Sequence, residues 1–150
     1  MQIAKARGAH VVATASAAKH DLLAELGVDE AVDYRSRKFE EVVEPVDVVY
    51  DLIGGDVSLR SLDVLRPDGI MITLPSAAAA AAIGPARERG LTAVGMLVEP
   101  DGDGLEELAG LVAAGALRVL VAETFALDRA ADAHRLGEQG RTSGKIVLTV

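Results

Sequence analysis

The sequence predicts an α/β domain on a doubly wound, mainly parallel sheet. Strand-like and helix-like segments alternate along the chain, the order that parallel strands with crossover helices require. The run Asp47-Val-Val-Tyr-Asp-Leu-Ile53 does not alternate polar with apolar, as expected of a strand covered on both faces. Glycines stand where helical stripes end, at Gly8, Gly27 and Gly115.

Each element follows from local chemistry. Met1–Arg7 reads as the end of a helix, stopped by Gly8, and the β-branched run Val11–Thr14 as a strand. Ala17–Leu26 carries Leu22, Leu23 and Leu26 on one helical stripe. Glu30–Tyr34 is a short strand. Beyond the Asp47–Ile53 run, Leu59, Leu62 and Leu65 recur at helical spacing in Gly55–Leu65. Arg66-Pro-Asp-Gly69 has the chemistry of a type I turn, and Ile70–Leu74 is the next strand. The alanine run Ala77–Ala82, bounded by Ser76 and Gly84-Pro85, is a good helix former without chemistry of its own. Leu91–Val98 is a strand. Asp103 and Glu106 form a capping-box pattern before a helix with Leu105, Leu108, Leu111 and Val112 on its apolar face. Val119–Phe125 reads as a strand, Asp128–Glu138 as a capped helix and Lys145–Val150 as a last strand.

Composition narrows the function. A chain of 150 residues suits one domain that buries roughly two-thirds of its unfolded surface. Aromatic residues make up only 3%, so Val, Leu, Ile and Ala must build the core. The net charge of −8, with no basic cluster, argues against nucleic-acid and anionic-membrane partners. The chain has no cysteine, so disulfides, thiolate nucleophiles and Cys-ligated zinc are excluded. That usage, with no leader and no apolar run of membrane length, leads to the expectation of a cytoplasmic protein. His10, His20 and His134 are scattered, and no metal site is expected. Nucleophile-elbow, H-E-x-x-H and P-loop patterns are absent.

Several segments together resemble the cofactor domain of the medium-chain dehydrogenases/reductases, in the zinc-free quinone-oxidoreductase-like branch. They are Ile3-Ala-Lys-Ala-Arg-Gly8, Ala13-Thr-Ala-Ser16, Leu26-Gly-Val-Asp-Glu30 and Val32-Asp-Tyr-Arg35. Asp47-Val-Val-Tyr-Asp-Leu-Ile-Gly-Gly55, Leu65-Arg-Pro-Asp-Gly69, Val98-Glu-Pro-Asp-Gly102 and Gly144-Lys-Ile-Val-Leu148 follow in the family's order. No one motif is specific; the set is. The resemblance implies a Rossmann-like fold and hydride transfer from NADPH to quinones or α,β-unsaturated carbonyls. Two parts of the family pattern are missing from residues 1–150: the substrate domain, and the first Rossmann strand with its glycine-rich turn. Gly54-Gly55 and Gly102/Gly104 lack the G-x-G-x-x-G spacing that holds a pyrophosphate. The expectation is a single truncated dinucleotide-binding domain, with no catalytic residue of its own and with weak or no cofactor binding in isolation.

Cofactor choice can be read from side chains. An NAD site wants Asp or Glu at the end of the strand after the glycine turn, but this strand ends Thr14-Ala15-Ser16. Lys19 puts a cation in the first helical turn, where the helix dipole disfavours it unless an anion sits nearby. Tyr34 and Arg35 add a stacking ring and a guanidinium suited to phosphate. The resemblance makes Ser16, Lys19, Tyr34 and Arg35 the cradle of the NADPH 2′-phosphate. The alternative is that Ser16 caps the helix and the two cations are solvated surface. At the other end of the cofactor, the resemblance places Leu52, Ile53 and Gly54 at the nicotinamide ribose, with Leu74-Pro75 and Met96-Leu97-Val98 beside them. Asp51 is expected to be satisfied by local N–H groups rather than to act as an acid or base.

In a sheet ordered 3-2-1-4-5-6 the absent strand is central, between Val11–Thr14 and Asp47–Leu52. The gap would leave two rows of unpaired backbone groups, each costing roughly 1–3 kcal/mol if buried. Either the halves close up or another strand fills the place. The last strand, Lys145–Val150, or its copy from a second chain, is the expected filler, because by resemblance it has lost its partner. A strand-exchanged oligomer follows, and the resemblance also implies a homodimer, with Leu91–Val98 at the sheet edge that pairs between subunits in such enzymes. Two rival functions remain: a non-catalytic interaction module that kept the fold, and an S-adenosylmethionine methyltransferase. The second lacks its glycine-rich turn and the acid that should end the following strand.

Overall fold

The computed structural model describes residues 1–74 and 81–150 in full and the backbone assignment of 76–80; Pro75, named above as a cofactor neighbour, lies outside the described residues. The chain divides into two compact units. One is Ala9–Asp101 with Met1, and the other joins Gln2–Gly8 to Gly102–Val150. No helix among the described residues is long and apolar enough to cross a membrane.

The first unit is α/β and all its strand pairs are parallel. β1 (Val12–Ala15) pairs with β2 (Glu30–Asp33), and Ala15 stands opposite Asp33. Between them a 3₁₀ turn at Ala17–Lys19 leads into a short helix, His20–Glu25, which ends at Gly27 with φ +84°. β3 (Val46–Asp51), β4 (Leu65–Thr73) and β5 (Thr92–Gly95) form a second sheet in that order. Among the described residues no hydrogen-bonded rung joins the sheets: β1 pairs with β2 alone, and β3 with β4 alone. The place between β1 and β3 is therefore not filled by another strand of this chain, contrary to the expectation that one would fill it. A shared core bridges it, in which Val32, Phe39 and Val64 are buried with Val12, Val46 and Val49 packed against them.

One face of the β3–β4–β5 sheet is covered and the other is open. Val49, Met71 and Ala93 are opposite one another in register and face a core with Leu62, Leu65, Ala82 and Ala86. Ala82 and Ala86 belong to the helix Ser76–Glu88, and Leu62 follows the helix Asp56–Ser61. Val48 and Tyr50, on the other face of β3, are both more than half exposed. A strand covered on both faces is thus not what forms, because the helices of this core all lie on one side. The Arg66–Gly69 turn is also not a boundary. Val46 pairs with Leu65 and Val48 with Ile70, so the turn bulges out inside β4, where the Arg66 guanidinium holds the Asp47 carboxylate. A Cβ added at Gly69 would lie 2.7 Å from the Asp47 carbonyl oxygen, which is why glycine closes this bulge.

In the second unit, β6 (Val121–Ala126) and β7 (Lys145–Thr149) are a parallel pair joined by a crossover through the helix Ala130–Glu138. This corrects the expectation for the last strand. β7 has a partner in its own chain, because that helix returns it alongside β6. The Gln2 side-chain amide donates to the Arg118 carbonyl at 3.0 Å and accepts from the Arg118 N–H at 2.8 Å, closing the unit across 116 positions. The helix Gly102–Ala113 begins one residue before Asp103, which lies inside it and does not cap it. Its Leu105, Leu108 and Val112 remain exposed.

Candidate cofactor site

Four of the expected residues lie just beyond the adjacent ends of β1 and β2. Because Ala15 is opposite Asp33, Ser16 and Tyr34 leave the sheet as neighbours, and Lys19 and Arg35 follow them. The Ser16 hydroxyl makes no capping hydrogen bond; only its carbonyl is engaged, by the Lys19 N–H at 2.9 Å. Among the described residues no carboxylate is in an ion pair with the Lys19 ammonium or the Arg35 guanidinium. The Arg35 guanidinium carbon lies 5.8 Å from the centre of the exposed Tyr34 ring. The nearby acid, Asp33, is turned to its own loop, accepting from the Arg35 N–H at 3.1 Å and the Ser36 hydroxyl at 3.1 Å. The Arg35 N–H, ahead of the Ser36 hydroxyl and the charges of His20 and Arg35, holds the Asp33 carboxyl below its ordinary value. The corner therefore offers two cations without an ion-pair partner among the described residues, a hydroxyl that caps nothing and a ring.

The other expected residues line the ends of β3, β4 and β5. Asp51, Thr73 and Gly95 are opposite one another, so Leu52, Leu74 and Met96 form the next row. Backbone bonds carry the alignment past the strands: the Leu74 N–H donates to Asp51 at 3.1 Å and the Met96 N–H to Thr73 at 2.9 Å. Ile53 is 71% exposed, Leu97 79% and Val98 74%. Gly54 and Gly55 have φ of +84° and +61°, a reversal that a residue with a Cβ would resist.

Asp51 is inside this turn, only 3% exposed. Its Oδ1 accepts from the N–H groups of Ile53 at 2.9 Å and Gly54 at 3.1 Å. Its Oδ2 accepts from the Ser58 hydroxyl and, at 3.4 Å, from the Thr73 hydroxyl. Burial alone would raise this carboxyl, but the four donors outweigh burial and hold it below its ordinary value. The expectation of local satisfaction is met. The amides of Ile53 and Gly54 are engaged inward, so this turn presents shape and side chains to a ligand. Ser58 and Thr73 were missed from sequence. Adjacent strand ends could have flagged Thr73; nothing local marks Ser58.

His10 lies 2.8 Å from Glu30 and 3.7 Å from Asp29 at the opposite end of β1, away from both rows. Among the described residues no group of three His, Asp or Glu side chains could hold a metal ion.

The sequence profile of a family described as zinc-binding dehydrogenases matches residues 26–148. The 2-haloacrylate reductase of a Burkholderia species is 34% identical over 94% of this chain and 48% of its own length. The quinone oxidoreductase of Coxiella burnetii superposes with a TM-score of 0.91 at 35% identity, over 99% of this chain and 47% of its own. The Escherichia coli quinone oxidoreductase complexed with NADPH gives a TM-score of 0.76 at 27% identity, over 99% and 52%. The chain thus spans about half the length of these relatives. The zinc in the family's description finds no fit in the side chains described here. On the profile match, the chain belongs to the zinc-binding dehydrogenase family, and its α/β fold is that of the Rossmann-like domain of the quinone-oxidoreductase-like medium-chain dehydrogenases/reductases.

Proposed function

We propose that this chain supplies the nucleotide-holding part of an NADPH-dependent reductase acting on quinones or α,β-unsaturated carbonyls. The observation that carries the reading is the pair of cations, Lys19 and Arg35, that follow Ser16 and Tyr34 where β1 and β2 end and have no ion-pair partner among the described residues. A dianionic phosphate is the group such a corner lacks, and the 2′-phosphate is what distinguishes NADPH from NADH. Relatives point the same way: an NADPH-dependent alkenal/one oxidoreductase of Arabidopsis thaliana is 30% identical over 92% of this chain. Bound NADPH supplies the hydride, and a proton from solvent completes the reduction. The chain's own residues bind and orient. Lys19 and Arg35 neutralise the phosphate, Ser16 donates to it and Tyr34 stacks beside it. Leu52, Ile53, Gly54, Leu74, Met96 and Val98 shape the nicotinamide end.

Residues 1–150 contain no glycine-rich amide cradle for the pyrophosphate, so binding by this chain alone is expected to be weak, with Kd on the order of 100 µM or above. An NMR titration detects affinity in that range. NADPH is expected to shift the amides of Ser16, Lys19, Tyr34 and Arg35. Replacing both cations (Lys19→Ala with Arg35→Ala) should weaken NADPH at least about tenfold and leave NADH nearly unchanged. Equal response to both dinucleotides in the parent chain would overturn the reading. A second reading, a non-catalytic interaction module, draws on the open face at Val48 and Tyr50 and the exposed Leu105, Leu108 and Val112. It would gain from a chain that ignores NADPH and sediments as an oligomer.

A further inference from the structure

Beside the nucleotide corner stands a titratable group that the reading above does not use. His20 opens the helix His20–Glu25 directly after Lys19, and that helix packs on β2. The residue is half-buried, and among the described residues its Nε2 is shut off from solvent and has no hydrogen-bond partner. Lys19 and Asp21 adjoin it in sequence. From the end of β2 come Asp33, whose carboxyl feels the His20 charge, and Arg35, which acts on the same carboxyl.

A neutral imidazole can carry its proton on Nδ1 and leave Nε2 an idle acceptor. The protonated ring carries N–H on both nitrogens, so one is buried without an acceptor, near two further cations. A dianionic phosphate arriving at Lys19 and Arg35 moves this balance toward the protonated ring, because it adds negative charge where those cations opposed the proton. By reciprocity the protonated ring strengthens phosphate binding by the same factor. We infer that His20 is a specificity-determining residue that acts through charge rather than contact: binding of the 2′-phosphate draws a proton onto its ring, and the preference for NADP(H) over NAD(H) strengthens in mildly acidic solution. The inference rests on the reading of this chain as a reductase's nucleotide-holding part, and it adds a regulator of that site.

The test uses the 150-residue chain with the oxidised nucleotides NADP⁺ and NAD⁺, which survive acid. The ring Cε1–H signals of His10, His20 and His134 are titrated between about pH 5 and 8.5, without ligand and with about 5 mM of either nucleotide. NADP⁺ is expected to raise the His20 midpoint by at least about 0.5 pH unit and NAD⁺ by less than about 0.1, with His10 and His134 unmoved by either. His20→Gln cannot take up a proton, while the titration of the 2′-phosphate itself remains. Between about pH 8 and about pH 5.5, the ratio of NADP⁺ to NAD⁺ affinity should therefore gain at least about threefold in the parent relative to His20→Gln. An unmoved His20 midpoint, equal movement with NAD⁺, or a His20→Gln chain that keeps the parent's pH dependence would overturn the inference. Amide shifts at Ser16, Lys19, Tyr34 and Arg35 with NADP⁺ at about pH 8 keep the outcomes apart. If they persist while the histidine result fails, only the role of His20 falls; if they are absent, the nucleotide reading falls and this inference with it.

Discussion

Two strand ends in the same unit treat charge in opposite ways. At the end of β3 the Asp51 carboxylate is buried and surrounded by the hydroxyls of Ser58 and Thr73 and the amides of Ile53 and Gly54. At the ends of β1 and β2 the Asp33 carboxylate is turned to its own loop, neither the Lys19 ammonium nor the Arg35 guanidinium is in an ion pair among the described residues, and the Ser16 hydroxyl caps nothing. The first arrangement is complete without a ligand and holds a turn in shape. The second is incomplete, and incompleteness is what a binding corner needs. Conspicuous acids at strand ends are therefore poor guides to chemistry when their neighbours already satisfy them.

The contrast can be tested by removing each charge. Asp51→Ala should have the largest effect, costing about 3–5 kcal/mol of stability, because four donors lose their acceptor in a buried turn. A urea unfolding midpoint measures it, and a loss below 1 kcal/mol would mean the turn holds without its carboxylate. The next effect is on pH dependence. The folded-state carboxyl of Asp51 lies below its unfolded value, so its contribution is complete at neutral pH, above the unfolded value. It disappears as pH falls through the lower folded value. Urea midpoints from pH 6 downward should therefore fall more steeply for the parent than for Asp51→Asn; parallel curves would contradict this. The smallest effect should come from the cations. Lys19→Ala and Arg35→Ala are each expected to change stability by no more than about 0.5 kcal/mol, while altering nucleotide preference. A large stability loss in either would show that the cation serves the fold.

Much of this contrast was legible in the sequence. The order of strands and helices, the helix-ending Gly27, the row of residues after each strand and the inward role of Asp51 all follow from local pattern. What was not legible depended on distant partners. Phe39, the lone aromatic of a polar stretch, is buried because Val32 and Val64 close over it and the Arg60 guanidinium stacks 5.0 Å from its ring. The Arg66–Gly69 turn has the signature of a strand boundary, yet Asp47 ties it into the middle of β4. The pairing of β7 with β6 could not be seen either, since a strand's sequence does not name its neighbour. For the site, sequence located the exposed residues just beyond the strands but not Thr73 or Ser58, and it could not show which charges the fold itself had already consumed.

The clasp between Gln2 and Arg118 has a kinetic implication. Ala9–Asp101 is almost uninterrupted in sequence and can gather its contacts as the polypeptide emerges. The other unit needs residues 2–8 to meet partners synthesised more than a hundred positions later. Loop closure over that span is entropically slow, so its amides should be the last to gain protection from hydrogen exchange during refolding.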